Sequence, residues 1–356
     1  MPATRAVIVS LLTVFSIGCS HAQRPLHPKS IEYQRRGVEA LTQSEFDRAA
    51  GLFSLALEYE PRLPEAHNGL GLVAGARGDK VLAETLFRRA LSMNPDLAEA
   101  HVNLGWIHFE RHDLSLAAQH FAQALAIDPG FSAARLGAGQ VDLNRGRLEP
   151  AHWHFRKLVE VNPDDAHGHG ALALVLARMG RSADAEAEAH RALEIDSRQA
   201  LALRARGDLL LAGGHAREAV EPYTRSVESN PSDVDARLSL ATVLIETGDY
   251  ATAESVLTRA RDAAPMRGEV GLVQAFLSLR RDDSRAAEQH ARTVLQNNPD
   301  LVLAQLVLAE ALLRQDRRRE GRASLVSFIE SAPETMARQR ENARSALAAM
   351  DRDGGR

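Results

Sequence analysis

From residue 30 to residue 335, small, bulky and turn-forming positions return with a period of 34 residues. Pro61, Pro95, Pro129, Pro163, Pro231, Pro265, Pro299 and Pro333 share one lattice, whose single gap falls at Ser197. Gly37, Gly71, Gly105, Gly139, Ala173, Gly207, Ala241, Ala275 and Ala309 hold a small residue in phase with it. A second small column runs from Ala49 to Ala287 and ends at Gly321. A bulky column follows at Phe53, Phe87, Phe121, Phe155, Tyr223, Leu257 and Leu325, broken by Ala189 and Ala291. Proline cannot continue a hydrogen-bonded helix, so each lattice proline predicts a helix end. Gly-Asp pairs, as in "ARGDK" and "ETGDY", mark the turn inside each period. Nine periods fit residues 30–335 without insertion or deletion. The fifth, residues 166–199, is the weakest match, and the chain is expected to open most easily around residues 185–200. After Pro333, Met336, Ala343, Leu347 and Met350 fall near one helical face, which predicts a capping helix for the exposed end.

The length of the period and its small, large and proline positions resemble the tetratricopeptide repeat. The resemblance implies an all-α fold, a right-handed α-solenoid of about nine 34-residue helix-turn-helix repeats with a C-terminal cap, in which each repeat is two antiparallel helices whose small residues let the backbones approach and whose bulky side chain fills the space towards the next repeat. The chain is expected to divide into a signal peptide at 1–18, a tether at 19–29, repeats at 30–335, and a capping helix and tail at 336–356. The repeat resemblance also implies that the first helix of each repeat lines a concave groove whose side chains hold a partner. Matching positions give Asn68, Asn103, Trp106, Phe109, Gln140, Asn144, Arg204 and Asp208 as candidate partner-binding residues, with a more apolar later stretch at Leu272, Phe276 and Leu306. An asparagine amide suits a peptide backbone because it offers donors and an acceptor together. The lysines of the carboxylate-clamp subtype are missing, which disfavours a chaperone C-terminus as ligand.

Ahead of the repeats, Arg5 and the apolar run "AVIVSLLTVFSI" at 6–17 have the form of a secretory signal. Twelve apolar-leaning residues fall short of the roughly 20 that a membrane-spanning helix needs. "SIGC" resembles a bacterial lipobox, with Gly18 before Cys19 and Ser16 where leucine is usual. That resemblance implies lipidation of Cys19, the only cysteine, and with Ser20 next to it an outer-membrane lipoprotein facing the periplasm. Several acyl chains, each contributing about 0.8 kcal/mol per buried CH₂, give stable anchoring where one is marginal. Cleavage after Ala22 is the alternative, and it would release a soluble periplasmic protein.

Charge narrows the partners further. Forty-three basic residues against 47 acidic ones give a net charge of −4, which speaks against nucleic acid as ligand. Only Lys29, Lys80 and Lys157 are lysines, and the remaining basic residues are arginines scattered among carboxylates, a bias that reads as base composition. "RQDRRREGR" at 314–322 reads first as a solvated turn and second as a contact for an acidic partner. "GLGLVA" at 69–74 lies inside a first helix with no strand before it, so it predicts no nucleotide loop. "HWH" at 152–154 and "HGH" at 167–169 place their histidines on different sides of a helix, which predicts no metal site. Nothing implies a cofactor or catalytic residues. With 4% aromatic residues a glycan-stacking groove has thin support. The sequence therefore predicts a non-enzymatic adaptor or scaffold for envelope proteins, held to the membrane by an N-terminal lipid, and leaves its oligomeric state open. A soluble chaperone-like adaptor and a glycan-binding accessory protein are the other readings.

Overall fold

The computed structural model describes residues 25–353, so the signal segment and Cys19 lie outside the described residues. Among those described the elements are all helical. The chain divides into two compact units between Ser197 and Arg198. The first holds α1 (Pro28–Thr42), α2 (Phe46–Tyr59), α3 (Pro64–Ala76), α4 (Lys80–Met93), α5 (Ala98–Glu110), α6 (Leu114–Ile127), α7 (Ser132–Asn144), α8 (Leu148–Val161), α9 (Ala166–Arg178) and α10 (Ser182–Ile195). The second holds α11 (Ala200–Ala212), α12 (Ala216–Ser229), α13 (Val234–Thr247), α14 (Tyr250–Ala263), α15 (Gly268–Arg280), α16 (Ser284–Asn297), α17 (Leu303–Arg314), α18 (Arg318–Ser331) and, after a 3₁₀ turn, α19 (Ala337–Asp353). Up to α18, each odd-numbered helix packs on the even-numbered helix that follows. Odd-numbered neighbours such as α3 and α5, or α13, α15 and α17, also touch. Both units have the all-α architecture of tetratricopeptide repeats. Met336, Leu347 and Met350 pack, with buried Ala343, against Leu325 and Phe328, so α19 covers the last pair.

Local chemistry sets the punctuation. Asp79 accepts a hydrogen bond from the Leu82 amide at 2.9 Å, and Asp249 and Asp283 cap α14 and α16 in the same way. Between the two helices of every pair, one residue takes the left-handed conformation. Gly78, Gly146, Gly180, Gly214 and Gly248 do so with φ of 70–90°, and Ser44, His112, Asp282 and Asp316 do so near 60°. All nine lie on the 34-residue lattice. A side chain costs about 1 kcal/mol in that region and glycine costs nothing sterically. Ser44→Gly is therefore expected to raise the urea midpoint, by about 0.5–1 kcal/mol in unfolding free energy after glycine's extra unfolded-state entropy is counted. An unchanged or lower midpoint would show that Ser44 is not strained.

The core repeats one arrangement. Phe53, Phe121 and Phe155 are fully buried, each contributing roughly 1.5–3 kcal/mol. A Cβ added at Gly37 would stand 2.7 Å from the Phe53 ring, and one at Gly69 would be closer still. Phe121 is flanked likewise by Gly105 of its own pair and Gly137 of the next. The rings thus lie directly on helix backbones, and they join each pair to its successor. Where the bulky column carries alanine, at Ala189 and Ala291, the small column carries alanine too, at Ala173 and Ala275, and all four are fully buried.

The arginines have a place in this order as well. From the turn after a first helix they reach back to the preceding second helix: Arg77 to Asp47, Arg111 to Glu84 at 2.5 Å, Arg145 to Ser115 at 3.1 Å and Arg281 to Glu254 at 2.6 Å. The exposed ones among these, such as Arg77 to Asp47, contribute only about 0–1 kcal/mol each. Their regular spacing nonetheless gives the arginine bias a structural component.

Candidate partner-binding face

In the first unit the predicted face is built on α3, α5 and α7. Asn103 Nδ2 donates to Asn68 Oδ1 at 2.9 Å, and both amides are nearly buried, at 5% and 3% exposure. The bond uses one polar atom of each amide. Trp106 is half-buried, with its ring edge-on to Phe109 at 5.5 Å and to Phe121 at 5.2 Å, and its indole N–H is buried without a hydrogen-bond partner. Packing holds most of this tryptophan. Asn144 is exposed and donates one amide N–H back to the Gln140 carbonyl of its own helix at 3.0 Å, while the Gln140 side chain is half-buried. Glu65, one turn before Asn68, was not among the residues singled out by sequence. Its Oε2 is buried without a partner, and burial pushes the carboxyl pKa up, the nearby Glu99 charge adding to the effect.

In the second unit Arg204 and Asp208 do not stand out on a surface. Arg204 is 7% exposed, its guanidinium 3.6 Å from Asp235 and 3.8 Å from Asp233, and its Nε has no hydrogen-bond partner. Asp208 accepts a 2.6 Å hydrogen bond from the Tyr223 hydroxyl. Burial, the Asp208 charge and that hydrogen bond push the tyrosine pKa up, so it remains a donor. The two residues form a polar core that ties α11 to α12 and to the turn before α13. The groove positions further on are apolar and half-buried: Leu238, Leu272, Phe276 and Leu306.

Six of the fourteen histidines fall into two lattice columns. His67, His101 and His169 each stand six residues after a lattice proline, and Nε2 lies 3.0–3.3 Å from that proline's carbonyl oxygen. A carbonyl only accepts, so Nε2 carries the proton. This P-x5-H spacing is visible in the sequence and would have identified them as turn clamps. His120, His154 and His290 form the second column, on α6, α8 and α16. Among the described residues no group of three or more His, Cys, Asp or Glu side chains is arranged to hold a metal ion. Arginines of the 314–322 segment are engaged internally: Arg314 with Asp282 and Glu310, Arg317 with Glu288 and Glu320, Arg322 with Asp351. No described helix is long and apolar enough to cross a membrane.

The family model described as Cilia and flagella-associated protein 70 C-terminal domain, a tetratricopeptide-repeat model, matches residues 35–277. A Parabacteroides merdae tetratricopeptide repeat protein aligns at 16% identity with a TM-score of 0.52, over 70% of this chain and 99% of its own. Pseudomonas aeruginosa pilF aligns at 20% identity with a TM-score of 0.51, over 61% of this chain and 97% of its own. A chain of the APC/C hetero-tetramer Cut9-Hcn1 aligns at 15% identity with a TM-score of 0.62, and this chain, matched over 79% of its length, spans 55% of that one. At these identities the likeness shows the fold. No curated protein sequence matches the chain significantly.

Proposed function

The chain belongs to the tetratricopeptide-repeat family of the Cilia and flagella-associated protein 70 C-terminal domain, and from that membership we propose a non-catalytic protein–protein interaction scaffold of the bacterial cell envelope. Its fold supports protein–protein binding in general. The proposal adds that Cys19 is lipidated and holds the chain at the outer membrane. There its first-helix faces would gather subunits of a pilus, secretion, outer-membrane or polysaccharide-export machine. The observation that carries the binding role is that each unit leaves half-buried side chains on neighbouring first helices, Trp106 and Gln140 in the first unit and Leu238, Leu272, Phe276 and Leu306 in the second. The envelope location rests on the apolar run at 6–17 and on "SIGC". Nucleic acid is not proposed as ligand, because the densest arginine cluster is neutralised by carboxylates of its own chain.

Two measurements on the native bacterium test this. A photo-crosslinking residue at Gln140 is expected to capture one dominant envelope protein, with Gln123 on the outer side of α6 as control. Many unrelated exported proteins would instead point to a chaperone-like adaptor, and captured polysaccharide to the glycan reading. Capture no different from the control would overturn the groove. Cys19→Ser is expected to move the protein from the membrane to the soluble fraction, and an unchanged distribution would remove the lipid anchor.

A further inference from the structure

We propose that the face made by α13, α15 and α17 docks an amphipathic segment of a partner protein, its apolar side on Leu238, Leu272 and Leu306 and an acidic residue against Arg280. The inference rests on the interaction reading above and says what kind of segment the second unit takes.

These three first helices lie side by side, and their equivalent positions are 34 residues apart. Along each helix, residues four and eight positions on continue the same face. The rows are thus Leu238, Thr242 and Glu246 on α13, Leu272, Phe276 and Arg280 on α15, and Leu306, Glu310 and Arg314 on α17. One edge of the face is a row of leucines, and the opposite edge is charged. All three leucines remain half-exposed although they stand in adjacent positions. Contiguous apolar surface rimmed by polar groups marks an interaction site more often than isolated exposed residues do.

The charged edge narrows the choice. Arg314 is already engaged: it donates to the Leu279 carbonyl at 2.7 Å, to Asp282 at 2.9 Å and to Glu310 at 2.6 Å. Arg280 has no carboxylate partner among the described residues. Its guanidinium lies over the Phe276 ring, 4.9 Å from the centroid, and the residue is exposed. A ring beneath a guanidinium attracts the cation and strips water from one side, so an acidic group on the open side meets a partly desolvated partner. Glu246 on the next helix is exposed and has no ion pair among the described residues, and it would repel an acid placed over α13. The acidic residue is therefore favoured over α15 alone, which fixes the orientation of the segment as well as its charge.

The test uses the full chain and two fluorescein-labelled 16-residue helical peptides. Both carry leucines at alternating three- and four-residue spacing; one is flanked by glutamates, the other by lysines. Fluorescence anisotropy should show the glutamate peptide binding at least tenfold tighter than the lysine peptide. Leu272→Glu should weaken the glutamate peptide at least tenfold, and Arg280→Glu should reverse the preference. Circular dichroism checks that the variants fold, and Leu272→Ser replaces Leu272→Glu if the latter does not. Equal affinity for the two peptides, no binding of either, or insensitivity to both substitutions overturns the proposal. If Gln140 still crosslinks a partner in cells, only this inference has failed; if that capture fails as well, the interaction reading fails with it.

Discussion

Gly105→Ala is expected to destabilise the first unit by about 2–3 kcal/mol, the size of an overpacking error in a closed core. A Cβ at this position would lie 2.7 Å from the Phe121 ring, closer than side chains ever approach. The ring has no room to retreat, because the backbone of Gly137 stands on its other side and Phe121 itself is fully buried. An ordinary Gly→Ala change inside a helix stabilises by about 1 kcal/mol, so the sign of the effect is diagnostic. Phe121→Leu alone should cost about 1–2 kcal/mol through lost burial and a residual void. Made together, the two changes should cost clearly less than their sum, because the added methyl group would then face the smaller leucine. This chain already uses that combination, with Ala241 beside Leu257 and Ala309 beside Leu325. Urea unfolding of the four proteins in a double-mutant cycle reads the coupling. Strict additivity would mean that ring and glycine do not meet as described.

The same pair of columns shows how much of the structure could be read from sequence. The period, the two helices and the proline stops follow from residue type alone, since proline and glycine restrict or free the backbone whatever surrounds them. The matching of glycine to aromatic and alanine to aliphatic was also present in the columns: Gly37 with Phe53, Gly207 with Tyr223, Ala275 with Ala291. It takes on meaning only once the ring is seen lying on the backbone. The left-handed turns were half legible, because five of nine are glycine while Ser44, His112, Asp282 and Asp316 give no such signal.

Side-chain direction at the face was much less legible. Arg204 occupies a groove position, and its polarity predicts exposure. Asp233 and Asp235, carried by the following pair, supply the charge that lets it be buried. Asn68 and Asn103 likewise satisfy each other across a sequence separation of 35 residues, a pairing that no local pattern encodes. Trp106 is read as a contact residue from position and as a packed residue from its neighbours Phe109 and Phe121. Face positions are decided by adjacent repeats, whereas the repeat itself is decided locally.

Lowering the pH from 7.5 to 5 is expected to remove about 1–2 kcal/mol of stability through His120 alone, a figure already reduced for screening by solvent at this half-buried site. His101 Nε2–H donates to the Pro95 carbonyl, so the neutral ring presents a lone pair at Nδ1, and His120 Nδ1–H donates to it at 3.1 Å. His108 also stacks on His120, with centroids 5.5 Å apart and planes 8° from parallel. The positive charge of a protonated His120 would lie beside both of these rings and close to Arg88. Burial first, then His101, His108 and Arg88, lower its pKa to about 4. Glu84 is clamped by Arg88 and Arg111 and so has limited capacity to offset the new charge. The unfolded chain takes up this proton near pH 6.5 and the folded chain only near pH 4. Between those values the unfolded state binds more protons, so stability is intact above the window and falls as pH drops through it. His154 and His290, in the same column, and His67 are also shifted down by burial, and they act in the same direction. Glu65, shifted up, opposes them at lower pH, where its protonation favours the folded state. Urea midpoints measured from pH 7.5 to 5 should fall for the native chain and fall less for His120→Gln, which keeps a donor towards His101 but takes up no proton. Equal slopes for the two proteins would place the acid sensitivity elsewhere, and a flat native profile would mean that the histidine column accepts charge in the folded state.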